Sequence, residues 1–295
     1  MRLIATRGSA LALAQATFAL QRLRALDPEL DLDLCVIDSD GDLNPDQAVP
    51  ELPGQGWFSS RLERALLDGR ADAAVHSAKD LPTTTSPGLT VGAYLAREDP
   101  RDCVVTRSGC PWAELPSGAR VGTSSPRRVA QLRALRPDLV ATPVRGNVDT
   151  RIRRMGDLGL EAIVIAQAGL LRLGRGQEGQ PLDPHHQCTP APAQGAIAVQ
   201  ITPDSALADL VAAVDDRPTR LCAEAEREVL LGLGGGCRLP LGVLAEPSGV
   251  GRFRITVAWS ADGTGRDLLR RSQVVAAEDL VGTARGIARE LAPLA

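Results

Sequence analysis

The sequence predicts an α/β protein with two similar lobes, followed by a smaller α+β domain. Short apolar strands alternate with amphipathic helices in the first quarter of the chain, and a second series of the same kind begins near residue 120. Residues 216–295 differ, because they read as one long helix, several short strands and a closing helix. The chain has 295 residues, 44% of them apolar, and is longer than a single domain usually grows. We therefore expect more than one hydrophobic core.

The spacing of apolar residues predicts the elements of each lobe. In the first series, strands are predicted at 2–6, 32–37 and 71–75, and helices at 9–26 and 58–67. In the second series, strands are predicted at 120–122, 139–144 and 161–166, and helices at 126–135 and 148–155. The regular alternation of strand and helix predicts a parallel sheet in each lobe.

Two segments interrupt the alternation of strands and helices. Residues 98–102, which read EDPRD, separate the two series and are a candidate crossover and hinge. A proline-rich passage at 181–192 leads into a predicted strand at 195–201 and a helix at 205–214, and periodicity leaves open which lobe that strand joins. The remainder predicts a helix at 218–233, strands at 241–245, 253–259 and 268–275, and a helix at 276–291.

Composition narrows the class of protein. A net charge of −3 and an aromatic content of 2% disfavour a nucleic-acid binder, which needs basic surface and rings for base stacking. The six cysteines form no C-x-x-C pair, and we expect reduced thiols. His185, His186 and Cys188 have no second ligand cluster in the sequence, so we expect no metal. Without a secretory leader or an apolar run of membrane length, the chain is expected to be soluble and cytoplasmic.

Polar residues follow the third predicted strand of the first lobe. In the string HSAKD, His76, Ser77, Lys79 and Asp80 arrive together where that strand ends. Ligands of open α/β sheets bind outside the carboxyl ends of the strands, which makes this a candidate site. The alternative is an ordinary turn with a surface pair between Lys79 and Asp80. The pattern alone does not separate a general acid from a structural ion pair.

Three predicted helix starts combine hydroxyl and guanidinium groups. Backbone N–H groups at a helix N-terminus bind anions, and the planar fork of arginine binds carboxylates in a bidentate manner. Solvated surface arginines are the alternative at each position. The groups are Arg7 and Ser9 in the first lobe, and Thr123, Ser124, Ser125, Arg127, Arg128, Arg145, Asn147, Thr150 and Arg151 in the second. Three such sites predict a ligand with many negative groups.

The string GLGGGCRLPLG, at residues 232–242, places Cys237 in a run of glycines after a predicted helix. One glycine would be enough to end that helix. Gly234, Gly235 and Gly236 together remove every side chain from the approach to the thiol. The pattern therefore indicates that a group is attached at Cys237.

Together these strings resemble the porphobilinogen deaminase family, also called hydroxymethylbilane synthases. The resemblance extends over nearly the whole chain, in the order ATRGSALALAQA, GWFSSRLERALLDGRADAAVHSAKDLPT, REDPRD, VGTSSPRR, VRGNVDTRI, AGLLRLG, APAQGA and GGGCRLPLG. It implies two lobes like those of a periplasmic binding protein, with the strand after Gln194 returning to the first lobe. The implied domains are 1–97 with 194–215, 98–193, and an α+β domain at 216–295.

The resemblance also implies a reaction and its residues. A dipyrromethane cofactor attached to the sulfur of Cys237 would prime the head-to-tail condensation of four porphobilinogens, with loss of ammonia and hydrolytic release of hydroxymethylbilane. Asp80 would be catalytic, assisting ammonia release and stabilising a cationic azafulvene. The implied cofactor-binding residues are Cys237, Lys79, Ser77, Thr123, Ser124, Ser125, Arg127, Arg128, Arg145, Gly146 and Gln194. The implied substrate-binding residues are Arg7, Ser9, Arg145, Asn147, Arg151 and Arg172. A monomer is implied.

Two features depart from the family pattern. Gln55 stands where lysine is common and Glu51 where another basic residue is frequent, while the usual T-x-G-D string reads Ser39-Asp40-Gly41-Asp42. Both departures fall in a segment that the resemblance implies is a lid. The main alternative function is a two-lobed protein that binds an anionic solute without catalysis. That alternative explains the lobes and the anion sites but has no use for Cys237 in a glycine loop.

Overall fold

In a computed structural model of the chain, residues 1–37, 60–235 and 239–294 are described. The predictions for the string at 39–42, for Glu51 and Gln55, and for Cys237 lie outside these residues. The chain divides into two compact units, Met1–Glu98 with Ala196–Arg220 and Asp99–Gly195 with Leu221–Ala295. The division into three domains stays a prediction.

The described elements comprise strands and helices of modest length. The strands are β1 Arg2–Thr6, β2 Leu32–Val36, β3 Ala73–Ser77, β4 Thr90–Leu95, β5 Asp102–Thr106, β6 Arg120–Gly122, β7 Val140–Thr142, β8 Ala162–Ala166, β9 Gln180–Pro181, β10 Ile197–Ile201, β11 Leu241–Pro247, β12 Arg252–Trp259 and β13 Leu269–Ala276. The helices are α1 Ala10–Leu26, α2 Ser60–Leu67, α3 Pro126–Leu135, α4 Val148–Arg153, α5 Gln167–Arg172, α6 Ala208–Ala213, α7 Arg217–Gly232 and α8 Leu280–Leu291.

The sheet of the first unit has the strand order β2-β1-β3-β10-β4. Strand β1 runs parallel to β2 and β3, whereas β10 is antiparallel to both of its neighbours, β3 and β4. The α/β class is confirmed, but the expectation of a purely parallel sheet is wrong, because β10 enters the sheet from the opposite direction. Its placement confirms that the strand after Gln194 returns to the first lobe.

Helix α1 shows how the sequence builds this unit. The Ser9 hydroxyl caps the helix by accepting a hydrogen bond from the amide of Ala12 at 3.3 Å. Ala16, Ala19 and Leu23 recur at helical spacing and are fully buried against the sheet. The helix is therefore held by its apolar face, and its start is fixed by a residue that the sequence also nominated for substrate binding.

The second unit contains a five-stranded sheet with the order β7-β6-β8-β5-β9. Strands β6, β7 and β8 run parallel, and β5 pairs antiparallel with both β8 and β9. This sheet repeats the arrangement of the first one, with an antiparallel strand in the fourth position. The antiparallel strand is β10 in the first sheet and β5 in the second. In both cases it is the first strand that follows a crossing of the chain from one unit to the other.

The second unit also contains a three-stranded antiparallel sheet with the order β11-β12-β13. Helices α7 and α8 pack against it, and Val229, Val243, Ile255 and Ala284 belong to its separate hydrophobic core. This confirms the predicted α+β character of the C-terminal part.

The sequence-based assignment missed β4, β5, β9 and α5. Strand β4 contains Gly92, which interrupts its apolar run, and a Cβ at that position would lie 2.8 Å from Cγ1 of Val211. A close approach of helix α6 therefore requires the glycine. Strand β5 begins at Asp102, which was grouped with the polar crossover, yet Asp102 is completely buried. Strand β3 ends two residues later than predicted, so His76 and Ser77 lie on the strand itself.

Candidate active site

The string HSAKD forms the end of β3 and a single 3₁₀ turn at Ala78–Asp80. Pairing with β10 continues into this turn, because the Ala78 amide donates to the Ala196 carbonyl at 3.0 Å. Ser77 accepts a hydrogen bond from Nε2 of Gln15 on helix α1 at 2.8 Å. Asp80 is exposed. The structure thus presents the Asp80 carboxylate just beyond the carboxyl end of β3, the central strand of the first sheet.

His76 lies just before this turn and is buried. Burial lowers the pKa of His76 to about 4, a shift that a hydrogen bond with Gln200 opposes and the charge of Arg7 assists. The imidazole is therefore neutral near pH 7. The His76 side chain therefore adds no positive charge to the HSAKD string.

The first predicted anion-binding segment of the second unit, residues 123–128, uses two of its hydroxyls internally. Thr123 is buried, and its Oγ1 accepts a hydrogen bond from the Ser125 amide at 3.2 Å. Ser124 donates to the Val144 carbonyl at 2.9 Å and accepts from the Val144 amide at 3.0 Å. Ser125 is the N-cap of helix α3 and makes no side-chain capping bond. The segment is therefore tied to the residue that precedes Arg145.

Arg127 and Arg128, in the first turn of α3, are both buried. Each forms an ion pair with Asp102, whose side chain is 0% exposed. Burial alone would raise the pKa of the Asp102 carboxyl, but the adjacent charges of Arg127 and Arg128 outweigh it and hold that pKa well below its usual range. Gln194 also reaches this cluster, since its Nε2 donates to Oδ1 of Asp102 at 2.9 Å. This carboxylate therefore joins two segments that lie far apart in the sequence, one with Arg127 and Arg128 and one with Gln194.

The second predicted anion-binding segment, residues 145–151, depends on a glycine. Gly146 has φ of +109°, and a Cβ there would lie 2.9 Å from Cγ2 of Thr150. The Gly146 carbonyl accepts a hydrogen bond from Nε of Arg151 at 2.6 Å. Arg145 and Asn147 on either side are exposed, and Asn147 is the N-cap of α4. The backbone turn at Gly146 therefore directs these two side chains outward.

Arg172, at the end of helix α5, lies near the turn that carries Gln194. Its Nη2 donates to the Gly195 carbonyl at 2.6 Å. Ala193 in the same turn has φ of +59°, a left-handed conformation that is uncommon for a residue with a side chain. The buried carboxylate of Glu226 accepts a hydrogen bond from the Ala193 amide at 2.5 Å and stabilises this turn.

The structure thus places the predicted residues in two sets. The first unit holds Arg7, Ser9, Ser77, Lys79 and Asp80, and the second holds Thr123, Ser124, Ser125, Arg127, Arg128, Arg145, Gly146, Asn147, Arg151, Arg172 and Gln194. The sequence analysis did not identify Asp102 as a functional residue. The pattern that could have indicated it is an aspartate directly before the apolar run CVV.

His185 has a structural environment. Its Nδ1 lies 2.8 Å from Oγ1 of Thr256 and its Nε2 lies 2.9 Å from Oε1 of Glu246, which ties the 183–189 loop to the C-terminal sheet. Among the described residues, no group of three or more potential ligands is arranged to hold a metal ion. None of the helices in the described ranges combines the length and apolarity needed to cross a membrane.

Comparison with known proteins places the chain in a family. A family model described as porphobilinogen deaminase, dipyromethane cofactor binding domain, matches residues 3–209. The porphobilinogen deaminase of Sorangium cellulosum is 44% identical over 92% of this chain and 89% of its own length. That of Moorella thermoacetica is 44% identical over 98% and 92% of the two chains, and that of Mycobacterium leprae 48% identical over 89% and 79%.

Among solved structures, a nutrient-binding protein from Burkholderia cenocepacia bound to methionine matches with a TM-score of 0.44 at 12% identity, covering 72% of this chain and 90% of that one. The family model spans both predicted lobes, and the three relatives cover most of the chain at 44% identity or more. The resemblance that the sequence motifs carry is confirmed, and the chain belongs to the porphobilinogen deaminase family.

Proposed function

We propose that this chain condenses four porphobilinogen molecules head to tail with loss of ammonia and then releases hydroxymethylbilane by hydrolysis. The observation that carries the proposal is the charge composition of the two sites. In the second unit, Arg127 and Arg128 share the single carboxylate of Asp102, and Arg145 lies exposed nearby in sequence. In the first unit, Asp80 presents an exposed carboxylate at the end of a buried strand. One site suits anionic groups and the other suits a developing cation.

Porphobilinogen carries an acetate and a propionate, so every ring added to the product brings two more carboxylates. Charge-assisted hydrogen bonds from guanidinium to carboxylate are among the strongest that a protein makes. We assign the binding of these groups to the guanidinium, ammonium, hydroxyl and amide donors that the motifs nominate. They are Arg7, Ser9, Lys79, Ser77, Thr123, Ser124, Ser125, Arg127, Arg128, Arg145, Gly146, Asn147, Arg151, Arg172 and Gln194.

The donor set also fits a dipyrromethane cofactor, whose carboxylates need the same surplus of positive charge. When bound, this cofactor supplies a covalently attached pyrrole to which the first substrate is joined. We propose that the sulfur of Cys237 carries it. Cys103, Cys188 and Cys222 are buried, and burial raises the pKa of the Cys103 and Cys188 thiols to about 12. The Cys103 and Cys188 thiols are therefore poor nucleophiles, which argues against attachment of the cofactor at either of them.

We assign the catalytic role to Asp80. The positive charge that develops on the substrate as ammonia leaves is stabilised by an anion held at a fixed position. The pairing of β3 with β10 continues to Ala78 and so supports the backbone two residues before Asp80. His76 is neutral and does not compete for this carboxylate.

The mass of the intact protein tests the proposal. Protein made in cells that produce porphobilinogen should exceed the mass of its sequence by two porphobilinogen units less two ammonias. Cys237→Ala should show the bare mass, and Cys35→Ala, at another cysteine that is not fully buried, should keep the added mass. Wild-type protein of bare mass, or an adduct that survives in Cys237→Ala, would contradict the cofactor assignment.

We further propose that the protein acts as a cytoplasmic monomer on a small-molecule substrate, with neither nucleic acid nor membrane as partner. The net charge of −3 and the aromatic content of 2% disfavour a nucleic-acid partner. Sedimentation at micromolar concentration should give a single species of about 31.0 kDa. A stable dimer would contradict the monomer assignment without affecting the chemistry.

A further inference from the structure

Asp102 is the common acceptor of a buried cluster in the second unit. Its Oδ1 accepts from Nε and Nη2 of Arg128 at 3.1 and 2.7 Å and from Nε2 of Gln194 at 2.9 Å. Its Oδ2 accepts from Nη1 of Arg127 and from the Cys188 thiol. Asp102 is 0% exposed, and the two arginine side chains are 5% and 7% exposed. One carboxylate thus orients two guanidinium groups and one amide.

The two arginines use different edges of their guanidinium groups. Arg128 turns its Nε and Nη2 edge to Asp102 and gives Nη1 to the Val164 carbonyl at 2.9 Å. The hydrogen bonds that the described residues give Arg127 all run through Nη1, to Asp102, to the Thr189 carbonyl at 2.9 Å and to the Cys188 sulfur. The Nε and Nη2 edge of Arg127, which is the edge that forks a carboxylate side-on, is thereby left for another anion.

Charge balance points the same way. Two guanidinium charges against one carboxylate leave a surplus of one positive charge in a buried setting, where an unpaired charge is costly. The neighbouring acidic residues are already engaged. Asp99 pairs with Arg101 at 2.6 Å, and Asp183 accepts from the backbone amides of His185 and His186 at 2.7 and 2.9 Å. A single carboxylate from outside this cluster would balance it.

We propose that Asp102 is a positioning residue, which holds Arg128 and Nη1 of Arg127 so that the Nε and Nη2 edge of Arg127 receives one carboxylate of the cofactor. This inference rests on the proposed function, and it assigns a role to a residue that belongs to none of the predicted binding sets. Asp102 itself touches neither cofactor nor substrate. It acts through the orientation and the net charge of the arginine pair.

The test is to produce Asp102→Asn in cells with an intact supply of porphobilinogen, isolate its folded fraction, and measure the fraction that carries the cofactor mass. Asparagine keeps the size of the side chain but removes the charge and one acceptor. We expect that less than a tenth of the folded protein carries the adduct, and that the KM of the loaded remainder rises at least tenfold. A purely structural role would lower the melting temperature without changing either quantity.

Leu160→Ala is the matched control. Leu160 is completely buried in the same unit, in a hydrophobic cluster that, among the described residues, includes none of Arg127, Arg128, Cys188 and Gln194, so we expect its truncation to destabilise the unit without changing the arginines. Its folded fraction should carry the adduct as the wild type does. If Asp102→Asn loads as well as Leu160→Ala and keeps its KM within twofold of wild type, the positioning role is wrong.

A second pair of variants covers the case in which Asp102→Asn does not fold. The double variant Arg128→Met with Asp102→Asn removes one positive and one negative charge, so the net charge of the cluster is unchanged. It is compared with the single variant Arg128→Met. The double variant should load at least fivefold less than the single one, because Arg127 loses its orienting acceptor. Equal loading overturns the inference. Wild-type protein without the adduct would instead overturn the proposed function. The mass spectrum of the wild-type protein alone distinguishes that outcome.

Discussion

Hydrogen bonds between Ser124 and Val144 connect the two predicted anion-binding segments of the second unit. The Ser124 hydroxyl donates to the Val144 carbonyl at 2.9 Å and accepts from the Val144 amide at 3.0 Å. Val144 is buried, and the next residue is the exposed Arg145. A hydroxyl that the sequence nominated as a ligand group thus also sets the position of a neighbouring arginine.

Ser124→Ala should therefore reduce both stability and affinity. Two buried backbone groups of Val144 lose their partner, which costs about 1–3 kcal/mol of unfolding free energy. The KM for porphobilinogen should rise as Arg145 becomes less well placed. Ser125→Ala is the control for stability, since the Ser125 side chain makes no capping bond, and chemical denaturation compares the two. Equal losses of unfolding free energy would contradict the role of the Ser124 bonds.

Asp80→Asn should separate chemistry from folding. Because Asp80 is exposed, the thermal unfolding of the variant should stay close to that of the wild type. Loss of a preorganised charge typically reduces turnover by about 10²–10³, and kcat should fall by at least this factor while KM changes little. Asp204→Asn, at another exposed aspartate of the same unit, should keep full turnover. Asp80→Asn protein with more than a tenth of wild-type turnover would show that Asp80 is not the catalytic carboxylate.

Gly146→Ala should disturb the second anion-binding segment. A Cβ at φ of +109° is strained and would press against Thr150, so the variant should lose about 1–3 kcal/mol of unfolding free energy. The displaced Gly146 carbonyl would also lose its bond with Arg151, and KM should rise. Gly156→Ala lies in the same unit at a position where a Cβ meets nothing within 4 Å, and it should behave as wild type. Chemical denaturation of the two variants measures both unfolding free energies and tests this expectation.

The burial of His76 predicts a pH dependence of stability. Its folded-state pKa of about 4 lies below the ordinary 6.5, so between these values the unfolded chain binds a proton that the folded chain does not. Stability from this group is therefore complete above pH 6.5 and is lost as the pH falls toward 4, by about 3 kcal/mol in total. His76→Gln should flatten the unfolding free energy across this window. An unchanged slope in the variant would assign the dependence to another group.

Most elements were predictable from local patterns, and the exceptions share a cause. Helix α3 and strand β6 match their predicted bounds, because Pro126 and the apolar spacing specify them locally. Strands β4 and β5 were missed because each contains a residue, Gly92 or Asp102, that disfavours a buried strand by itself. Their partners, Val211 for the glycine and Arg127 for the aspartate, lie far away along the sequence.

The candidate site was predictable as a set of residue types but not as a set of contacts. The motifs nominate Ser124 and Arg127 as direct ligand groups, and the structure gives both of them bonds within the protein. Periodicity and spacing describe which residues share a surface. They do not show how a hydroxyl or guanidinium divides its hydrogen bonds between the protein and a ligand, because that depends on groups brought in by tertiary folding.

The antiparallel strand in the fourth position of the first sheet has a consequence for synthesis on the ribosome. Strand β10 fills the gap between β3 and β4, so the first sheet cannot close until residues 197–201 have left the exit tunnel. Until then the nascent chain exposes the unpaired edges of β3 and β4, which are prone to aggregation. The second sheet draws all its strands from residues 102–181 and can close earlier. The first sheet is thus begun before the second but completed after it, and chaperones that shield nascent chains should matter most during that interval.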